Sequence, residues 1–215
     1  MKNYTVKELT KMAWKSLGAI VICAVIGGGL MGVYVKHKQT TTYTATRNVV
    51  ITHDLNNIQA NSDNPYDTRV NADLNMMPTY SDIAENKEIS VEAHKLLPKK
   101  LQKSYSADEI NDSIRSESRP QSLVLSLKAK TNSAEDSVEI VNATARALRT
   151  QLPKLQPGAG NVVLLEKATT KAVDSNTTPG MKKYLAAGIA LGGLLGILIS
   201  FITITFKDIA KKNGK

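Results

Sequence analysis

The chain has 215 residues, a net charge of +9 and a slightly negative mean hydropathy, values that suit one or two ordinary domains. The single cysteine, Cys23, excludes an internal disulfide and a cysteine-based metal site. The excess positive charge is shared about equally by the two ends and the middle of the chain, so the high pI does not predict a nucleic-acid-binding protein.

The first predicted element is a transmembrane helix over residues 17–35, a run of 19 residues without a charge. A bilayer core of about 30 Å needs about 20 helical residues, whereas the apolar run of a cleaved signal peptide has roughly 7–15. No small-x-small cleavage site follows, so we interpret the run as an uncleaved anchor. Residues 1–16 carry four lysines and one acid, which predicts a cytoplasmic tail.

Residues 36–184 are predicted to form an extracytoplasmic mixed α/β domain. Its first strand, residues 43–52, is indicated by β-branched and aromatic side chains. Asn, Asp, Ser and Pro predict a loop over residues 54–66. Apolar residues then recur at helical spacing over residues 67–97, where Pro78 is expected to kink or divide the helical stretch.

The second half of this domain contains one more short helix, two strands and a long helix. Ser106 and Glu109 fit a capping box that starts a helix through about Ser116. Alternating leucines predict a strand over residues 123–128, and residues 133–152 form a helix that Pro153 is expected to end. With a third strand over residues 161–167, the predicted order is β–α–α–β–α–β, an α+β membrane protein.

A second transmembrane helix is predicted over residues 185–206, a run of 22 residues without a charge. The tail that follows, residues 207–215, carries four lysines and one aspartate. Lys and Arg close to spans tend to stay in the cytoplasm, so both tails are predicted there. The chain is thus expected to be a multi-pass protein of the cell membrane whose basic tails contact lipid headgroups.

Small residues repeat at helical spacing within both apolar runs. Gly188, Gly192 and Gly196 share one face of the second run, and Gly28 and Gly32 do so in the first. Small residues let helix backbones approach closely in lipid, so these five glycines are predicted to pack against other helices. The sequence leaves open whether that packing is within one copy or between copies.

The residues that usually carry catalysis or bind metals show no recognisable pattern. His37, His53 and His94 lack metal-ligand spacing and are predicted to be solvated surface residues. No nucleophile elbow, zinc-protease motif or phosphate loop is present in the sequence. We therefore expect no catalytic residue, metal or cofactor, and a protein that is not an enzyme.

The whole chain resembles the Wzz-type polysaccharide chain-length determinants, also called polysaccharide co-polymerases, in their Gram-positive capsular or exopolysaccharide form. The resemblance covers nearly all of the chain and combines several weak features. They are the basic segment KELTKMAWKSL, the strand that begins TYTAT, the segment TYSDIA, the unit SLVLSLKAKTNSAEDSVEIVNATARAL, the strand VVLLEKAT and the glycine-rich run AAGIALGGLLGILISF. Only Pro179 stands between the last strand and the second run, where the family usually has several prolines.

The resemblance implies a non-catalytic membrane scaffold that forms homo-oligomers, works with the polysaccharide polymerase and export machinery, and sets polymer length. Many Gram-positive relatives also activate a cytoplasmic tyrosine kinase through a longer tail. In this chain the candidate kinase contact is Phe206, Lys207, Asp208 and Ile209. Three alternatives stay open: a membrane adaptor whose main task is to activate such a kinase, a two-span sensor, and an enzyme with a cryptic outer site.

Overall fold

The computed structural model describes the backbone of residues 6–53 and 65–213. Side chains are described for Trp14, for residues 16–53 and for residues 70–206. The chain divides into two compact units. One consists of the two end segments, residues 1–40 and 177–215, and we call it the helix pair; the other, residues 41–176, we call the α/β unit.

The helix pair is built from two helices of 33 residues each, α1 (Val6–Lys38) and α7 (Met181–Asn213). Within them, Ser16–Lys38 and Met181–Phe206 are long and apolar enough to cross a bilayer. The prediction of two apolar helices at the ends of the chain with a mixed α/β region between them is thereby confirmed.

The α/β unit contains an antiparallel sheet whose strands follow the order β2-β3-β1-β4, with β5 beside this path. In the central register, Val49 of β1 lies opposite Leu125 of β3 on one side and Leu164 of β4 on the other. β2 pairs only with β3, so it is an edge strand of this path. The strands are β1 (Thr40–Thr52), β2 (Ile114–Ser118), β3 (Val124–Thr131), β4 (Asn161–Leu164) and β5 (Asp174–Thr178).

Five helices complete the α/β unit, and three of them begin at side-chain caps. Asn86 accepts a hydrogen bond from the Glu88 amide, and Ser133 accepts one from the Asp136 amide. Ser106 and Glu109 form the predicted capping box. The helices are α2 (Pro65–Ala84), α3 (Lys87–Leu96), α4 (Lys99–Ser104), α5 (Ala107–Ser113) and α6 (Ala134–Leu155); a 3-10 turn, Thr170–Ala172, precedes β5.

The core lies between one face of the sheet and the helices. Alternate residues of β1 and β3 point inward, since Val49, Ile51, Leu125 and Leu127 are fully buried. Leu148 of α6 is fully buried in the same cluster. Burying one such aliphatic side chain contributes about 1.5–3 kcal/mol, so packing alone can hold a unit that has no disulfide.

The helices depart from prediction in four places. Pro78 does not divide α2, and α6 continues past Pro153 to Leu155, where the Gln156 amide donates to the Leu152 carbonyl and closes the last turn. The helix expected to run to Ser116 ends at Ser113. The short helix α4 was not predicted, because six residues are too few to show a helical period.

The strands depart from prediction at their ends, and two strands were not predicted. β1 begins three residues earlier than predicted, β3 extends to Thr131, and β4 ends at Leu164 rather than at residue 167. The predicted order β–α–α–β–α–β lacked β2 and β5, whose residues are polar except for Ile114. Of the loop predicted over residues 54–66, residues 54–64 lie outside the described backbone and Pro65 already belongs to α2.

Candidate functional site

The closest approach between α1 and α7 is made through glycines. A Cβ atom added to Gly188 would lie 2.6 Å from the Gly27 carbonyl oxygen, and one added to Gly27 would lie 2.6 Å from the Gly188 oxygen. A Cβ on Gly192 would overlap the Cys23 carbonyl oxygen. Further along, a Cβ on Gly196 would meet the Ile20 Cα at 2.7 Å. The two backbones therefore touch with no room for side chains.

The five glycines predicted to pack against helices do not all occupy equivalent places. Gly188, Gly192 and Gly196 face the backbone of α1 directly. Gly28 lies instead against the Ile189 side chain, with an added Cβ 2.8 Å from its Cγ1. Gly32 has room for a side chain, because an added Cβ would make an ordinary van der Waals contact of 3.6 Å with Leu185 Cδ1. Gly27, which the sequence analysis did not single out, makes the central contact of α1.

The helix pair is antiparallel and exposes its large apolar side chains. Residue numbers along the contact fall in α1 as they rise in α7, and Gln39 donates to the Pro179 carbonyl oxygen at 3.2 Å. The exposed set includes Leu30, Val33, Leu194, Ile197, Leu198 and Phe201. Small residues inside and large apolar residues outside are typical of helices that pack within lipid.

Two histidines predicted to be solvated are instead held in place by hydrogen bonds. His53 Nδ1 lies 2.9 Å from the buried Asp73 carboxylate, and His53 Nε2 lies 2.9 Å from the Gly158 carbonyl oxygen. His94 Nε2 donates to the Gln102 carbonyl at 3.0 Å. Only His37 is exposed as predicted.

A buried arginine lies in the middle of β1 without a carboxylate partner among the described residues. Arg47 is 4% exposed and donates to Asn142 Oδ1 at 3.0 Å and to the Leu165 carbonyl at 3.2 Å. Burial, followed by the positive charges of Arg146 and Arg149, lowers the pKa of Arg47.

Asn142 connects this arginine to the chain that follows β4. Its amide nitrogen donates to the Ala168 carbonyl at 3.1 Å, and its oxygen accepts from the Ala168 amide at 3.2 Å. With Arg47 bonded to Leu165, the segment after β4 is fixed to both β1 and α6 by side chains. This cluster links β1, α6 and the segment after β4 through neutral hydrogen-bond acceptors, an arrangement that was not predicted from the sequence.

Two tyrosines in the α/β unit have perturbed hydroxyls. Burial, and then the negative charge of Asp73, raises the pKa of Tyr80. Burial, and then a hydrogen bond of 3.0 Å from its hydroxyl to Asp136, raises the pKa of Tyr105. Neither tyrosine is poised to lose its proton at neutral pH, so neither is suited to act as a base.

The described residues contain no group of three or more His, Cys, Asp or Glu side chains placed to hold a metal ion. A surface recess of about 550 Å³ lies beside α3 and α6, with charges of both signs on its wall. Its lining is Asn86, Lys87, Glu88, Val91, Glu92, Lys95 and Gln151. We find no nucleophile paired with a base there.

The residues predicted to contact a kinase lie near the end of α7. Phe206 is 69% exposed, whereas the side chains of Lys207, Asp208 and Ile209 lie outside the described set. The backbone is helical through all four positions, because α7 continues to Asn213.

Two capsular polysaccharide biosynthesis proteins are similar to this chain. Capsular polysaccharide type 8 biosynthesis protein Cap8A of Staphylococcus aureus is 26% identical over 159 residues, which cover 73% of this chain and 67% of that protein. Capsular polysaccharide type 5 biosynthesis protein Cap5A of Staphylococcus aureus strain Newman is similar to the same extent, 26% over 159 residues. No family model matches the chain.

Proposed function

We propose that this protein acts in capsular polysaccharide biosynthesis, as a membrane-anchored regulator of polymer length. The observation that carries the proposal is the similarity to Cap8A and Cap5A over 73% of the chain. Because 159 of the 215 residues are aligned, the aligned region includes most of the α/β unit and is not confined to a short apolar run.

The helix pair supports a location in the cell membrane. Trp14 and Tyr34 are both exposed on α1, and their separation of 20 positions corresponds to about 30 Å of helix, the thickness of a bilayer core. Tyr184 occupies the matching end of α7. Aromatic residues favour the two interfaces of a membrane, so these side chains fit the boundaries of two spans. The basic tails then lie in the cytoplasm and the α/β unit outside it.

The mode of action that we propose is assembly rather than catalysis. Glycines occupy the contact between α1 and α7, while large apolar side chains such as Leu30 and Leu194 remain outside that contact. Copies of the chain can pack in the bilayer through those exposed faces, and the assembly would bind the polysaccharide polymerase and export machinery. Polymer length would follow from the geometry of the assembly.

The test is the polysaccharide made by a strain in which the gene is deleted. We expect a changed distribution of polymer lengths, measured by gel electrophoresis and light scattering, and restoration by the unaltered gene. A complementing gene with Gly193→Leu, at a glycine with open space around it, serves as a matched control for a Gly192→Leu variant. An unchanged polymer in the deletion strain would refute the proposed function.

A further inference from the structure

One corner of the α/β unit carries several exposed cations and few acids. The corner joins α3 to α4, and no Asp or Glu occurs from residue 93 to residue 107. Arg146 of α6 reaches the same place, because its Nη2 donates to the Leu96 carbonyl at 3.2 Å. We call these residues the cationic corner: Lys95, Lys99, Lys100, Lys103 and Arg146.

Hydrogen bonds hold the backbone of the cationic corner. The Gln102 side-chain amide donates to the Lys95 carbonyl at 3.1 Å and to the Leu97 carbonyl at 2.8 Å. His94 donates to the Gln102 carbonyl from the other side. The backbone that carries the lysines of α4 is therefore fixed before any partner binds.

Little negative charge offsets this corner. Lys95 pairs with Glu92 at 3.0 Å, but Lys99, Lys100 and Lys103 make no ion pair with any described residue. The acids beyond α4, Asp136 and Glu109, lie next to Tyr105, where Asp136 accepts the Tyr105 hydroxyl. The positive field extends inward, since Arg146 is among the charges that lower the pKa of buried Arg47.

We infer that the cationic corner binds an acidic polysaccharide, a polymer that carries a carboxylate on its repeating sugars. The inference rests on the proposed function and names the chemical class of the polymer. Several mobile ammonium groups on one fixed surface suit repeated negative charges, which favour multivalent contacts over capture of a single small ion. Leu101 of α4 is buried and Leu96, at the end of α3, is partly exposed, so a membrane surface is tested directly against the polymer below.

The experiment uses the full chain in nanodiscs of zwitterionic lipid, with polygalacturonate as the probe and neutral dextran for comparison. We expect polygalacturonate to bind with an affinity that falls as salt is added, and dextran not to bind. The variant Lys99→Gln/Lys100→Gln/Lys103→Gln should weaken binding roughly tenfold, as expected for the loss of three exposed ionic contacts. All three side chains are exposed, so circular dichroism should show an unchanged fold.

The matched control removes the same charge elsewhere in the α/β unit. Lys130, Lys167 and Lys171 are also exposed, and Lys130→Gln/Lys167→Gln/Lys171→Gln should change the affinity less than about twofold. Equal losses in the two triple variants would overturn the inference, because binding would then depend on net charge alone. Absence of polygalacturonate binding, or a preference of the corner for vesicles of phosphatidylglycerol, would also overturn it.

The same variants in cells separate this inference from the proposed function. If deletion of the gene alters the polymer while the substituted corner does not, the proposed function stands and the cationic corner is not its binding surface. If deletion leaves the polymer unaltered, the proposed function fails whatever the probe binds.

Discussion

The helix pair and the α/β unit distribute their apolar residues in opposite ways. In the α/β unit, large aliphatic side chains such as Leu127 and Leu148 are fully buried. In the helix pair, leucines of the same size are exposed, and Leu194 is 60% accessible. Glycines take the interior of the helix pair, where Gly188 and Gly192 bring the backbones together.

This contrast is what the proposed location of the two units, one in water and one in lipid, would produce. Burial of apolar surface from water drives the packing of the α/β unit. Between helices in lipid that driving force is absent, and close backbone packing of small residues takes its place. The contrast fits one unit packed in water and one suited to hydrocarbon, and on that proposal substitutions of the same kind should have different effects in the two.

The largest difference is expected for removal of a leucine side chain. Leu148→Ala should lower the free energy of unfolding of the α/β unit by about 3 kcal/mol, because it leaves a cavity in a packed core. Leu194→Ala, on the exposed face of α7, should have almost no effect. Urea unfolding of the full chain in detergent micelles, followed by circular dichroism, measures both. Similar losses at the two positions would remove the contrast between the units.

A larger residue in place of a contact glycine should destabilise the helix pair, although removal of an exposed leucine side chain should not. Gly192→Leu forces a side chain onto the Cys23 carbonyl and should cost about 1–3 kcal/mol of helix packing. Gly193→Leu, one residue along in open space, is the matched control. Spin labels at Val25→Cys and Leu194→Cys, in a Cys23→Ala background, report the helix separation. The distance distribution should broaden only for Gly192→Leu; an unaffected distribution would contradict the glycine contact.

The buried polar contacts of the α/β unit offer a smaller test. His53→Ala leaves the Asp73 carboxylate buried without its partner and should cost about 2 kcal/mol of unfolding free energy. His37→Ala, at an exposed histidine of α1, should cost nothing measurable. Adding Asp73→Ala to His53→Ala should recover part of the loss, since it removes the unpaired charge. Additive losses would show that the two side chains act independently.

The smallest expected effect is on the pH dependence of the free energy of unfolding. The pKa of Tyr105 is raised by burial and then by its hydrogen bond to Asp136, so the unfolded chain loses this proton at lower pH than the folded one. The stabilisation that Tyr105 contributes is complete below the ordinary tyrosine pKa of about 10, and it is lost as the pH rises through the raised pKa of the folded protein. Tyr105→Phe should cost about 1 kcal/mol at neutral pH and flatten the alkaline part of the stability curve. An unchanged alkaline slope would argue against the shift.

The elements that could be predicted from sequence are those whose pattern is local. A long run of apolar residues identifies α1 and α7, and helical spacing with acids after Ser133 identifies α6. β2 and β5 were missed because all of their residues except Ile114 are polar, and they are strands only through pairing with a neighbour. No local pattern contains that information.

The polar clusters were missed for the same reason. Arg47 lies two residues from each of the inward residues Ala45 and Val49, so its place on the buried face of β1 is visible in the sequence. Its partner Asn142 lies 95 positions away and has no distinctive neighbours. In α1, three consecutive glycines do not show which face of the helix contacts α7. Only the position of Gly188 in the structure identifies Gly27 as the centre of that contact.

The most direct test of the account labels the two units by solvent. The full chain in proteoliposomes is exposed in one experiment to a carbene precursor dissolved in the lipid and in another to hydroxyl radicals in water, and the products are located by mass spectrometry. The account predicts carbene label on exposed residues of the helix pair such as Leu30, Leu194 and Phe201, and oxidation confined to the α/β unit and the helix ends. Carbene label across the α/β unit, or oxidation in the middle of α1 and α7, would contradict it.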